Sequence, residues 1–185
     1  PGTSQPKEGE TNTQAGYIIG TTDDTLEKGR LAPWGPLMWK SYKLRRTVES
    51  TLAAETQTMV DLLGHIEWLC CHFLEARFKQ FDLENRQQFF QACQPVVITD
   101  CKGLYDHIHR QSSPCSAQDK RCAIDLVIAR ETLWWLSGSL RWTPTDQQLA
   151  DALTKDRARA ADERERRRLL GLKAQQAPPE PLPPP

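Results

Sequence analysis

PVVITDCKGLY, residues 95–105, sets three β-branched residues, Val96, Val97 and Ile98, ahead of Thr99 and Asp100, and Lys102-Gly103 then break the run. A short apolar run closed by a turn signal predicts a buried strand. That strand would leave a carboxylate, Asp100, at its carboxyl end, where open α/β sheets bind their ligands. A lone Asp in such a place is most simply a turn or helix-cap residue. Two further acids, Glu55 and Asp151, sit in contexts that suit the same site.

Upstream, residues 48–77 are predicted to form the longest helix. Leu52, Met59, Leu62, Ile66, Leu69 and Phe73 recur at spacings of three, four and seven and mark one apolar stripe. Glu55 falls on that stripe, one turn from Leu52 and one from Met59. A carboxylate facing inward is costly unless it is paired or bound to a cation. The plain alternative is a glutamate at the edge of the stripe that reaches water.

Before this helix, residues 15–42 are predicted to form a hairpin. GYIIG and PLMWKSY are its strands, TDDTLEKG is its turn, and Asp23 and Asp24 are turn residues bonding the local backbone. Residues 80–94 are polar and suggest a loop with a short helical piece. After the Asp100 strand come a short helix over residues 102–109 and turn composition in QSSPCS. A helix over residues 117–136 follows, with Ile124, Leu126, Val127, Ile128, Leu133 and Trp134 as its apolar face. A short strand, residues 139–143, is stopped by Pro144. Thr145 and Gln148 match a capping box, and the helix it would open carries Leu149, Asp151 and Leu153. The order predicts an α/β domain built on one mixed sheet flanked by helices. Its expected organisation is a disordered segment over residues 1–14, a domain over 15–156, and a charged, then Pro-rich tail over 157–185.

The totals narrow the classes. The chain has 185 residues, enough for one domain with tails, and 24 basic residues balance 24 acidic ones. No global field draws it to a polyanion, so such a partner must meet a local basic patch. No window has the apolar length of a spanning helix, and no signal peptide opens the chain, so an intracellular, non-secreted and non-membrane protein is expected. Pro1 in place of Met suggests a processed or excised piece. Six cysteines without paired CxxC spacing are expected to be reduced thiols. His107 and His109 lack a second ligand pair at a zinc spacing. Trp134, Trp135 and Trp142 are taken as core aromatics before base-stacking ones, and Arg166 to Arg168 are diluted by neighbouring acids.

Glu55, Asp100 and Asp151 would make an acidic cluster from three separated segments. Hard divalent cations are held by a few carboxylates plus substrate oxygens, and two of them about 4 Å apart can activate water for phosphodiester cleavage. Spacing alone does not bring the three together. The local sequences add to it. PLMWKSYKLRRTVESTLAAE, VVITDCKGLYD, DKRCAIDLVIARE and LRWTPTDQQLADALTK occur in this order. They resemble successive segments of the ribonuclease H domain of copia-type retrotransposon polyproteins, the last of them most specifically, and the likeness covers about residues 15–156.

The resemblance implies a ribonuclease H-like fold that hydrolyses the RNA strand of RNA–DNA hybrids with two Mg²⁺ ions, Mn²⁺ being a possible substitute. Carried over residue by residue, it makes Glu55, Asp100 and Asp151 catalytic metal ligands. It also implies a fourth acid on a first strand ahead of GYIIG. Only PGTSQPKEGETNTQ precedes Gly16, so the domain is expected to be N-terminally truncated. Lys40, Lys43, Arg45, Arg46, Lys120 and Arg121 are candidate phosphate contacts, each with ordinary surface charge as its alternative. The implied partners are the hybrid and an upstream reverse transcriptase domain of a parent polyprotein. The rival expectations are a catalytically incomplete or domesticated module that binds nucleic acid or protein, and a scaffold within a larger polyprotein.

Overall fold

The computed structural model describes residues 13–26, 28–30, 32–44, 48, 50–110 and 119–154. Two strands, β1 (Gln14–Thr22) and β2 (Trp34–Lys43), lead into helix α1 (Thr51–Arg77) and a 3₁₀ helix (Arg86–Ala92). Then come β3 (Val96–Thr99), α2 (Lys102–His109), α3 (Lys120–Trp135) and β4 (Ser139–Trp142). Two 3₁₀ turns, Thr145–Gln147 and Leu149–Leu153, complete the described chain. The protein is α/β in class. Among the described residues no helix is long and apolar enough to cross a membrane.

The expected single mixed sheet is not what these strands form. β1 and β2 pair antiparallel, β3 and β4 pair parallel, and the two ladders are separate sheets. Leu44 N–H bonds the Thr13 carbonyl at 3.0 Å. Alternation therefore turns Ala15, Tyr17 and Ile19 toward β2 and the peptide groups of Gly16 and Ile18 to the opposite edge. On β3, Pro95 and Thr99 carbonyls accept from Ser139 and Thr143, so Val96 and Ile98 address the edge away from β4. The two sheets are linked by Arg141, buried on β4, whose Nη1 donates to the Leu26 carbonyl in the hairpin turn at 2.6 Å.

Local chemistry sets the helix limits. The Ser50 hydroxyl accepts from Ala53 N–H at 3.1 Å, so α1 begins at Thr51, three residues later than expected. Asp119 caps α3 by accepting from Arg121 and Cys122 N–H. Asp23 bonds Thr25 N–H at 3.0 Å and fills its expected turn role.

The buried face of α1 is rotated from the expected one. Met59 and Ile66 are buried as predicted, but Leu63, Cys70 and Leu74 replace Leu62, Leu69 and Phe73, and Phe73 is half exposed. The α3 face also differs. Leu126 and Leu133 are buried with Cys122, Ala123 and Ala129, while Ile124, Ile128 and Trp134 lie outside. These faces meet Val97 and Leu140 of the parallel sheet, Leu104 and Ile108 of α2, and Phe90 in one core. A smaller apolar contact joins Ala15 and Leu44 to Ala54.

The capping box does not form. No side chain caps Thr145–Gln147, and Gln148 Nε2 donates to the Ile98 carbonyl at 3.1 Å. A partly buried strand-edge carbonyl takes the Gln148 amide instead, and two short 3₁₀ turns stand where a helix was expected. The expected disorder over residues 1–12, the basic residues at 45–46, the turn composition at residues 111–116 and the tail over residues 157–185 lie outside the described residues.

Candidate functional site

Three elements present the predicted acids. Glu55 lies in the second turn of α1, beside Ala54 and Thr56, whose burial against the hairpin and α3 fixes that turn. Asp100 follows the last residue of β3. Its carbonyl accepts from Trp142 Nε1 at 3.1 Å, and Thr99 Oγ1 accepts from Cys101 N–H at 3.2 Å, so the strand end is held on both sides. Asp151 lies in the last 3₁₀ turn. Ser41 Oγ donates to the Leu153 carbonyl at 2.7 Å, and a Cβ on Gly16 would lie 2.8 Å from Leu153 Cβ. This turn thus rests on the hairpin at a position only glycine allows.

All three carboxylates are half-buried. The Glu55 carboxyl is pushed up from 4.5 to about 7, first by burial, then by the negative charges of Asp100 and of Asp151. The three acids therefore share one electrostatic neighbourhood although they are far apart in sequence. Among the described residues, no three His, Cys, Asp or Glu side chains stand close enough to hold one metal ion. The acids are neighbours in charge and not in coordination. The donor set still suits a hard divalent cation: three carboxylates whose mutual repulsion such a cation would relieve.

The expected basic residues divide. Lys40 is engaged inside the protein: its Nζ lies 2.7 Å from Asp61 Oδ2 and 4.5 Å from the centre of the Tyr42 ring. Lys43 is exposed at the end of β2, next to Leu44, which packs on Ala54. Lys120 and Arg121 are exposed in the first turn of α3, where Cys122 Sγ lies 3.8 Å from Thr56 Oγ1. Lys43 at the end of β2, and Lys120 and Arg121 at the start of α3, are thus next in sequence to Leu44 and Cys122, which touch the neighbours of Glu55 on α1. Arg45 and Arg46 lie outside the described residues.

Two features escaped the sequence reading. Lys102, two residues after Asp100 and first in α2, pairs with Asp106 at 2.8 Å and lies 5.8 Å from the centre of the Trp142 ring. Further along α1, Tyr17 donates to Asp61 Oδ2 at 2.8 Å. His65 Nδ1 sits 2.9 Å from the Asp61 carbonyl and 3.0 Å from Tyr17 Oη. A carbonyl only accepts, so Nδ1 carries the proton. Burial works to raise the Asp61 carboxyl, but the hydrogen bonds from Lys40 and Tyr17 outweigh it and hold it below its ordinary value. A cleft of about 680 Å³, lined by Met38, Val60, Asp61, Gly64, His65 and Trp68, opens beside this network and includes none of the three acids. The Lys102–Asp106 and His65–Asp61 contacts follow the four-residue spacing of a helix, but the links of Asp61 to Tyr17 and Lys40 and of Lys102 to Trp142 join distant segments, and no local pattern announces them.

No family model, curated protein or solved structure matches the chain.

Proposed function

We propose that this chain is a ribonuclease H-like domain of a copia-type retrotransposon polyprotein, acting on the RNA strand of RNA–DNA hybrids. The observation that carries the reading is the electrostatic meeting of Glu55 with Asp100 and Asp151, the three acids that the sequence likeness singles out independently of the fold. Their chemistry suits two Mg²⁺ ions, held by these carboxylates together with substrate oxygens. When bound, such ions supply Lewis acidity and lower the pKa of water for in-line attack on a phosphodiester.

The chain's own residues have definable parts. Glu55, Asp100 and Asp151 would hold the ions, Glu55 doing so as the carboxylate that the repulsion of Asp100 and Asp151 otherwise disfavours. Lys43 from the end of β2 and Lys120 and Arg121 from the start of α3 meet the phosphates of the hybrid, with contacts to 2′-hydroxyls as the basis for choosing the RNA strand. The likeness implies a further strand bearing a fourth acid. The outer edges of β1 and β3 have backbone groups available for pairing: among the described residues only Gln148 bonds either edge.

The test is Mg²⁺-dependent cleavage of an end-labelled RNA–DNA hybrid by the chain fused to an upstream acid-bearing strand. Cleavage is expected in that fusion and is lost in its Asp100→Asn variant. A fusion that folds and binds hybrid but never cuts would overturn the enzymatic reading.

The absence of a ready three-ligand grouping among the described residues favours one second reading, a hybrid-binding module without catalysis. Salt-sensitive binding that is indifferent to Mg²⁺ and to Asp100→Asn is its signature.

A further inference from the structure

The C-terminal half of α1 and the 3₁₀ helix Arg86–Ala92 are fastened together along their length. Arg86 Nε lies 3.0 Å from Glu67 Oε1, the Phe89 ring centre is 5.7 Å from that of Phe78, and Phe90 is buried with Leu74 in the core. Cys93 ends that 3₁₀ helix, its N–H bonded to the Phe90 carbonyl at 2.9 Å. The next residue, Gln94, turns the chain toward β3 through a left-handed φ of 42°. This return brings the half-buried Cys93 against the core cluster that contains Cys70, where each thiol acts on the ionisation of the other. Neither is bonded to another sulfur. Cys71 is adjacent in sequence but turned about 100° around the helix.

We propose that Cys70 and Cys93 are a reversible dithiol–disulfide pair, oxidised by a low-molecular-weight disulfide. Their proximity gives the two sulfurs different roles. Cys93 is the more exposed, and the neighbouring Cys70 thiol holds its thiol below its ordinary value. Cys70 is held above its own by the proximity of Cys93 and by burial. Thiolate, not thiol, is the attacking species.

The Cys93 thiolate attacks one sulfur of the oxidant, the oxidant's S–S bond breaks, and the first small thiolate leaves and takes up a proton. Cys70 then loses its proton and attacks Cys93 Sγ, expelling the second small thiolate, which is protonated in turn. Two protein thiols are oxidised and one small disulfide is reduced to two thiols. The bridge closes the loop over residues 70–93 and ties α1, which bears Glu55, to the segment entering β3, which Asp100 follows. The oxidised chain is therefore more resistant to unfolding.

The test treats the folded full-length chain with oxidised glutathione, blocks remaining thiols, and maps crosslinked peptides by mass spectrometry. The wild type and Cys71→Ser are expected to give a 70–93 bridge, reversed by dithiothreitol, with a higher urea midpoint than the reduced chain. Cys70→Ala is expected to stop at the glutathione adduct on Cys93. Mapping the bridge in the wild type keeps the test independent of whether that variant folds. A bridge that persists in Cys70→Ala and disappears in Cys71→Ser would overturn the pairing. So would a wild type that accumulates only glutathione adducts.

Discussion

The two sheets are held in place by different means. The parallel pair β3–β4 is wrapped by α1, α2 and α3, and its central residues Val97 and Leu140 enter an apolar core with Leu126 and Leu133. Parallel strands need a crossover, and the crossover helices cover them. The hairpin sheet instead meets α1 through small residues, Ala15 and Ala54, and through the Tyr17–Asp61–Lys40 network. Its outer face leaves Leu37 and Trp39 to solvent, Trp39 at 69%. Hydrophobic burial anchors one region, whereas polar contacts and a small apolar patch hold the other. The acids straddle them: Asp100 directly follows a parallel strand, Asp151 rides on the hairpin, and Glu55 lies on the helix that touches both.

The contrast is broken most directly by truncation. Leu133→Ala removes a fully buried side chain from the shared core and is expected to cost about 2–5 kcal/mol in urea unfolding. Trp39→Ala removes a larger but exposed one and is expected to stay within about 0.5 kcal/mol. Equal losses would mean that the hairpin face is covered and the two regions are not different in kind.

Next in size is the pH dependence at the seam. The folded-state value of Glu55, about 7, lies above the 4.5 of the unfolded chain. Between those values the folded state binds more protons than the unfolded one. The contribution is fully present below 4.5 and is lost as pH rises through 7. The loss is at most about 3 kcal/mol, reduced by the solvent that reaches the side chain. Glu55→Gln should flatten this slope relative to wild type, seen as the difference in urea stability at pH 5 and pH 8. Asp100→Asn or Asp151→Asn should lower the Glu55 titration midpoint measured by carboxyl NMR. If neither substitution moves it, the acids do not share a neighbourhood.

Legibility in the sequence follows the same division. β3 could be read because four residues of β-branched chain and a turn signal are a local statement, and so could the hairpin. The phase of α1 could not, because Leu62-Leu63, Leu69-Cys70 and Phe73-Leu74 are apolar doublets, and either member of each can face inward. The packing of α3 and the 3₁₀ helix on α1 selects the second member each time. The split into two sheets was also hidden, since strand partners are chosen by tertiary contacts that no window contains. The candidate acids were found from local phrases, but their meeting depends on Gly16 admitting Leu153 and on Gln148 reaching Ile98. Those two contacts are legible only in three dimensions.

The polar hold on the hairpin predicts a smaller effect. Tyr17→Phe keeps the ring's packing and removes its bond to Asp61, with an expected loss of about 1 kcal/mol. The loss should shrink in an Asp61→Asn background, because the two residues act through one contact. Additive losses would show that the Tyr17 hydroxyl does not act through Asp61.

The smallest effect concerns how each sheet is entered. The hairpin turn places a glycine, Gly29, at its left-handed φ of 71°, whereas β3 and β4 are preceded by Gln94 and Ser137, at 42° and 52°. At Ser137 the cause is visible. Gly138 N–H bonds the Leu133 carbonyl at 2.8 Å and Ser137 N–H bonds that of Trp134 at 3.0 Å, the paired bonds of a Schellman cap, whose C′ position favours glycine. A side chain there bears about 1–2 kcal/mol of steric cost, partly offset by the smaller entropy of the unfolded chain without glycine. Ser137→Gly is therefore expected to stabilise by about 0.5–1 kcal/mol in urea unfolding, and Gly29→Ala to destabilise by a similar amount. The opposite signs follow from one backbone requirement met with glycine in the hairpin and without it at the parallel pair. A neutral Ser137→Gly would mean that the serine's own bonds repay its strain, and the parallel region would then have no unused stability at its entry.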